Sequence, residues 1–231
     1  MPIRDELIER TMQQLAALMA KILQARSSTV EMARFDVAAA ESQLDDLYLA
    51  NLGTSRSLVR RLGLEDLIGV IGTAGHVDGE RAYVFGALLS TEAEVAIAGG
   101  ADAEDPEVLA LRNSALAMFL EAGAERLGEA DLDERVQALL AAVHEDAWPL
   151  STYERRFRYE FAGRRYSRAE DALFDWLDNS TGFEQRLEVA ATADAFYTAL
   201  EELKDKELTE GGFERDEIAE GRADFAERVG G

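Results

Sequence analysis

The chain contains no cysteine in 231 residues. Disulfides, thiolate nucleophiles and zinc–thiolate sites are therefore excluded, and a reducing compartment is the natural setting. Three prolines occur, Pro2, Pro106 and Pro149. Proline clashes with the preceding helical turn and removes a donor, so its scarcity permits long helices. The histidines are two, His76 and His144, and they stand alone. Neither H-E-x-x-H nor E-x-x-H is formed, so zincin and ferritin-like centres lack their ligands. Asp102, Glu104 and Asp105 lack the closing glycine and glutamate of a calcium loop. Neither a metal nor a cofactor is expected. No run reaches the ~20 apolar residues that span a bilayer, and the longest, LIGVIGTAG, is short and glycine-rich. The opening MPIRDELIER carries early acids in place of an apolar core, so no secretory signal is expected there.

Acid is what the chain has most of. There are 46 acidic against 24 basic residues, a formal net charge of -22, and only Lys21, Lys204 and Lys206 are lysines. Such a surface repels nucleic acid and anionic membranes at long range, so neither is expected as a partner. Solubility alone explains this charge in one reading. The other is a salt-adapted protein, because strong screening makes a large like charge tolerable. A hydrophobic content of 47% supports a sizeable core.

Alanine, leucine, glutamate and arginine dominate, all strong helix formers, and no β-branched run suggests a strand. Residues 3–25 place Ile3, Leu7, Ile8, Leu15, Leu18, Met19 and Ile22 at helical spacing. Ser28 and Glu31 form a capping box that predicts a second helix to about Asn51, with Phe35, Leu44, Leu47 and Tyr48 on its buried side. The pair predicts an N-terminal helical hairpin. Glycines at 63, 69, 72 and 75 limit the next helices to short pieces. Longer helices are expected from about Gly79 to Ala98, from the Asp105-Pro106 start signal to about Ala122, and from Asp131 to His144. Three further capping boxes, Ser151/Glu154, Ser167/Glu170 and Thr181/Glu184, predict helices over about 151–162, 167–178 and 181–204. A last helix is expected over about 214–228. Short connections predict antiparallel neighbours. The expected fold is all-α: one domain over 1–231, with a hairpin at about 3–51 and an irregular helical repeat region at about 79–229.

The segment 151–178, STYERRFRYEFAGRRYSRAEDALFDWLD, holds the basic island. Arg155, Arg156, Arg158, Arg164, Arg165 and Arg168 alternate with Phe157, Tyr159, Phe161 and Tyr166. Glu154–Arg158 and Arg156–Glu160 are spaced as i,i+4 pairs, and Tyr153, Phe157 and Phe161 share one stripe. Gly163 reads as a turn, followed by Ala169, Leu173, Trp176 and Leu177 at inward spacing. A small residue followed by large ones resembles the second helix of a tetratricopeptide unit, with Leu173 where the pattern has an aromatic. A weaker copy lies at 83–120.

Three pieces carry a wider resemblance: DELIERTMQQLAALMAKIL, SRAEDALFDWLD and FYTALEELKDKELTEGGFERDEIAEGRADF. They are similar to a family of uncharacterised bacterial proteins that are all-helical and tetratricopeptide-like. The resemblance implies a fold with antiparallel, α-solenoid-like packing and a cytoplasmic location. Its motifs are structural and bring no catalytic residue.

One motif tempts toward nucleotide binding. IGTAGHVDGE (71–80) looks like a phosphate loop, but Glu80 and Arg81 stand where a lysine and a serine or threonine are needed, and the glycine spacing is one residue short. A glycine-punctuated turn before a helix is expected instead. Nucleophilic catalysis would need His76 or His144 as its base, and no serine lies on a G-x-S-x-G elbow. The functional expectation is a non-enzymatic cytoplasmic interaction scaffold. It would hold an acidic protein or peptide partner through Arg155, Arg158, Tyr159, Arg164 and Arg165. A small-molecule binder or enzyme with an interhelical pocket, and a structural homo-oligomer, are the alternatives.

Overall fold

The computed structural model describes residues 2–27, 32, 35–73, 76–125, 130–144 and 148–230. Among them the chain is all-helical apart from one two-rung ladder. It divides into two compact units, Met1–Ala147 and Trp148–Gly231.

The first unit holds α1 (Pro2–Arg26), α2 (Val37–Leu52), α3 (Arg56–Val59), α4 (Leu64–Ile71), β1 (Gly72–Thr73), β2 (His76–Val77), α5 (Gly79–Ala98), α6 (Pro106–Glu125) and α7 (Ala130–Ala142). Its axis is α5. Tyr83, Phe85, Leu88, Glu92 and Val95 are buried on different faces of that helix, as expected of a helix surrounded by others. α6 is its closest partner, and α1 and α2 both lie against it. The α5–α6 approach depends on Gly86: a Cβ there would stand 2.9 Å from the Phe119 ring. α1 and α2 touch each other, but each meets α5 over a longer stretch. The N-terminal pair is thus a clamp on α5 more than a self-contained hairpin.

The second unit holds α8 (Leu150–Ala162), α9 (Tyr166–Asn179), α10 (Phe183–Glu201), α11 (Asp205–Glu210) and α12 (Glu217–Gly230). α8 and α9 pack closely, and α10 packs on α12. Ala169, Leu173, Trp176 and Leu177 are all buried. Phe196 centres an aromatic cluster, with rings of Phe157, Phe161, Tyr197 and Phe213 at 5.1–6.4 Å. Each of these rings except the half-buried Phe161 contributes ~1.5–3 kcal/mol by leaving water.

Several helix starts differ from those expected. The Ser28/Glu31 box lies outside the described residues, and α2 is capped by Asp36, whose carboxylate accepts from the Ala39 N–H at 3.0 Å. Pro149 occupies the cap of α8, which makes no side-chain capping bond, so Ser151 is already helical. α9 begins at Tyr166 with Arg165 at its cap, so Ser167 stands two residues past the cap position. At α10 the Gly182 N–H donates to Gln185 Oε1 at 3.1 Å, and neither Thr181 nor Glu184 takes the capping role. α11 was not anticipated at all. The 71–80 stretch forms an antiparallel ladder, Gly72 opposite Val77 and Thr73 opposite His76. That is the one strand pairing among the described residues, where none was expected. Asp78 then caps α5, accepting from the Arg81 N–H at 3.2 Å. A carboxylate therefore already sits at the helix N-terminus, where a phosphate loop would place its anion.

Candidate functional site: an arginine turn in the second unit

The α8–α9 connection is built around Arg165. Its Nε donates to the carboxylate of Glu160, a residue 2% exposed. Its guanidinium lies over the Tyr159 ring, 4.5 Å from the centroid. A buried carboxylate requires such a partner, and the ring face adds a cation–π attraction. This arrangement needs room at Gly163, where a Cβ would come within 2.6 Å of the Arg165 Cζ. The role usually given to a C-terminal glycine, the left-handed residue, passes to its neighbour. Gly163 has φ -73, and Arg164 has φ 56. A second close approach locks the turn: a Cβ on Gly211 would meet the Tyr166 ring at 2.1 Å and the Arg164 carbonyl at 2.7 Å.

The six arginines of the segment sort into two groups. Arg155 is 5% exposed and its terminal nitrogen donates to the Ser151 carbonyl at 3.0 Å. Arg156 pairs with Asp175 at 2.8 Å and lies over Trp148. The spacing-based Arg156–Glu160 pair is not formed, because Asp175 takes Arg156 and Arg165 takes Glu160. Tyr159 is 2% exposed. These groups face inward.

Arg158, Arg164 and Arg168 face outward. Arg158 holds Glu154 at 3.5 Å with both side chains partly exposed. Arg164 and Arg168 are exposed, and no carboxylate of the described residues comes within ion-pair distance of either. Arg158 lies about one helical turn, ~6 Å, before the end of α8. Arg168 lies in the first turn of α9, so the three share one end of the hairpin. Burial raises the Tyr166 pKa, against the opposing charge of Arg164. Of the expected site residues, Arg158 and Arg164 thus lie at the surface, while Arg155, Tyr159 and Arg165 form the frame beneath. Arg168 was outside the expected set.

Sequence reasoning also passed over a buried polar cluster in the first unit. Glu92, on α5, is 1% exposed. Its Oε2 accepts from the Tyr48 hydroxyl at 2.7 Å, and its Oε1 from Arg60 Nε at 2.5 Å. Arg56 Nε stands 3.8 Å away and also pairs with Asp45 at 2.9 Å. Burial, then the Glu92 charge, pushes the Tyr48 pKa well above its ordinary value. Burial alone would lower the Arg60 pKa, but Glu92 and Glu107 outweigh it and hold the guanidinium above its usual value. One signal was available: Glu92 interrupts the apolar series of a long helix.

Neither a curated protein nor a solved structure matches the chain. A profile for a family of unknown function, DUF6483, matches residues 3–230. Spanning nearly the whole sequence, that match makes this chain a member of the DUF6483 family.

Proposed function

We propose that this protein is a non-enzymatic interaction scaffold. Its second unit holds an acidic segment of a partner protein at the α8–α9 turn. Arg164 and Arg168 donate to the partner's carboxylates, with Arg158 beside them at the same end of the hairpin. One observation carries the reading. The chain has nearly two acids per base, 46 against 24, yet Arg164 and Arg168 have no carboxylate partner among the described residues. The strained backbone at Arg164, φ 56, supports it, since such conformations cluster at ligand clamps and functional sites. A tetratricopeptide-like arrangement of α8 and α9 is part of this reading, supported by the buried Ala169–Leu173–Trp176 series. So are a bacterial, cytoplasmic and salt-adapted setting, supported by the absence of cysteine and the scarcity of lysine. No described helix is long and apolar enough to cross a membrane.

The test is fluorescence anisotropy of the full chain against a panel of labelled peptides, acidic, neutral and basic. Acidic peptides are expected to bind, with affinity falling as salt rises. Arg164→Glu/Arg168→Glu should weaken them at least about tenfold, since charge-assisted bonds contribute ~1.5–3 kcal/mol each. Unchanged binding in that variant, or selection of neutral peptides, refutes the reading.

One observation favours self-association as a second reading. Phe183 is 74% exposed and Leu187 46% exposed, one turn apart on α10. Light scattering on the wild type and on Phe183→Glu decides it: a dimer that becomes a monomer supports the reading, and a wild-type monomer ends it.

A further inference from the structure

A cavity of about 240 Å3 opens in the first unit between the α3–α4 segment, α5 and the start of α6. Its walls include Val59, Leu67, Leu89 and Leu111, all buried and apolar. Two charged groups stand on its lining, Arg60 and Glu107. Arg60 uses Nε for Glu92, and its two terminal nitrogens make no hydrogen bond to a described residue. Glu107 is exposed and lies within electrostatic reach of Arg60, with no ion pair among the described residues. An apolar pocket with a few convergent polar groups is the usual form of a small-molecule site. Drug-sized ligands fill about 300–1,000 Å3, so this volume suits something smaller.

The charges narrow the ligand further. A plain anion would meet Glu107 at the mouth and the repulsion of a chain with net charge -22. A plain cation would leave the Arg60 fork without an acceptor and face its positive charge. A neutral apolar molecule would leave both groups unused. A zwitterion satisfies both without net charge. We propose that the cavity binds a free aliphatic α-amino acid. Its carboxylate sits on the terminal nitrogens of Arg60, its ammonium on Glu107, and its side chain against Val59, Leu67, Leu89 and Leu111. The site lies in the other unit from the arginine turn and stands or falls independently of it.

The experiment is calorimetric titration of the full chain with L-leucine, N-acetyl-leucine and leucinamide. L-leucine is expected to bind saturably, and each derivative, lacking one charge, at least about tenfold more weakly, a loss of ~1.4 kcal/mol. Glu107→Gln should weaken L-leucine by a similar factor while costing the fold under ~1 kcal/mol, because the group is exposed and makes no ion pair among the described residues. Ala110→Trp, on the cavity lining, should abolish binding. Circular dichroism confirms that both variants fold. No heat with L-leucine up to about 10 mM overturns the proposal, at which point the available free energy is below ~3 kcal/mol. Equal binding of N-acetyl-leucine also overturns it, because the ammonium then contributes nothing.

Discussion

Removing the Tyr48 hydroxyl, a single oxygen atom, should cost the first unit a measurable part of its stability. Glu92 is buried at 1% exposure and its charge is held by three groups: Tyr48 at 2.7 Å, Arg60 at 2.5 Å and Arg56 at 3.8 Å. Tyr48→Phe leaves Oε2 without its donor and keeps the ring, whose edge meets Phe85 at 6.2 Å. A hydrogen bond to a charged group contributes ~1.5–3 kcal/mol. A loss near 2 kcal/mol lowers the midpoint by roughly 4–8 °C for a chain of this size. Arg60→Ala should be milder than the 3–5 kcal/mol of a fully buried broken pair. The reason is that the Arg60 side chain is 40% exposed and Arg56 remains nearby. Glu92→Met strands the Tyr48 hydroxyl instead, at about 1–3 kcal/mol. In Tyr48→Phe/Glu92→Met both ends of the bond are gone, Arg56 keeps Asp45, and Arg60 turns to water. The double variant should therefore cost less than the sum of the singles by at least ~1 kcal/mol.

Urea melts followed by far-ultraviolet circular dichroism measure these losses. Tryptophan fluorescence serves as the control, because Trp148 and Trp176 both belong to the second unit. Hydrogen exchange at the α5 amides localises the effect. If Tyr48→Phe costs under ~0.5 kcal/mol and the two substitutions add, the cluster is not a coupled network and the reasoning fails.

Four further outcomes follow from the same geometry. Gly86→Ala should destabilise by ~1–3 kcal/mol because its Cβ meets Phe119 at 2.9 Å, whereas Gly69→Ala, with nothing within 4 Å, should stabilise by ~0.5–1 kcal/mol; paired urea melts test the contrast. Burial raises the Glu170 pKa despite its bond from Tyr197, so the folded state disfavours the ionised carboxylate; Glu170→Gln should raise the midpoint at neutral pH, with the gain vanishing below the unfolded carboxyl pKa, where both states are protonated. Arg164→Gly should stabilise by roughly 1 kcal/mol in a thermal melt through relief of φ 56, while weakening the acidic peptides in the anisotropy assay. Molar salt should raise the midpoint by screening a net charge of -22; a midpoint unchanged from low to molar salt removes the salt-adapted reading.

Where the sequence was legible, local chemistry was unambiguous. Asp78 ahead of α5 and Gly99 after it bound the helix at Gly79–Ala98 as expected. Asp105 and Pro106 start α6, with the Asp105 carboxylate accepting from the Glu107 N–H at 2.8 Å. The three later capping boxes failed for a statistical and a steric reason. With 46 acids in 231 residues, an acid falls three positions after a serine or threonine about one time in five. Pro149, with φ -59, already directs the chain into α8, and Tyr166 enters α9 early to seat its ring on Gly211. Glu92 itself left a signal, but its partners were illegible because they lie 44 and 32 residues away. No periodicity encodes such a pairing. It exists only once α2 and the α3 segment close on α5.

The basic island shows how one composition divides into two roles. Helical phase settles α8: Arg155 and Tyr159 are one turn apart on the buried side, while Glu154 and Arg158 repeat on the wet side. Phase alone does not reach the turn. There the decisive event is Arg165 folding back onto Tyr159 and Glu160, which fills the space beside Gly163 and hands the left-handed position to Arg164. A purely structural turn would be more stable with glycine at 164, because strain there is relieved and no ion pair is lost. Arg164 therefore carries a backbone cost that no ion pair among the described residues offsets. On the proposed reading, that cost is offset when a partner meets the three outward arginines. For that reason the stability and binding effects of Arg164→Gly are expected to carry opposite signs.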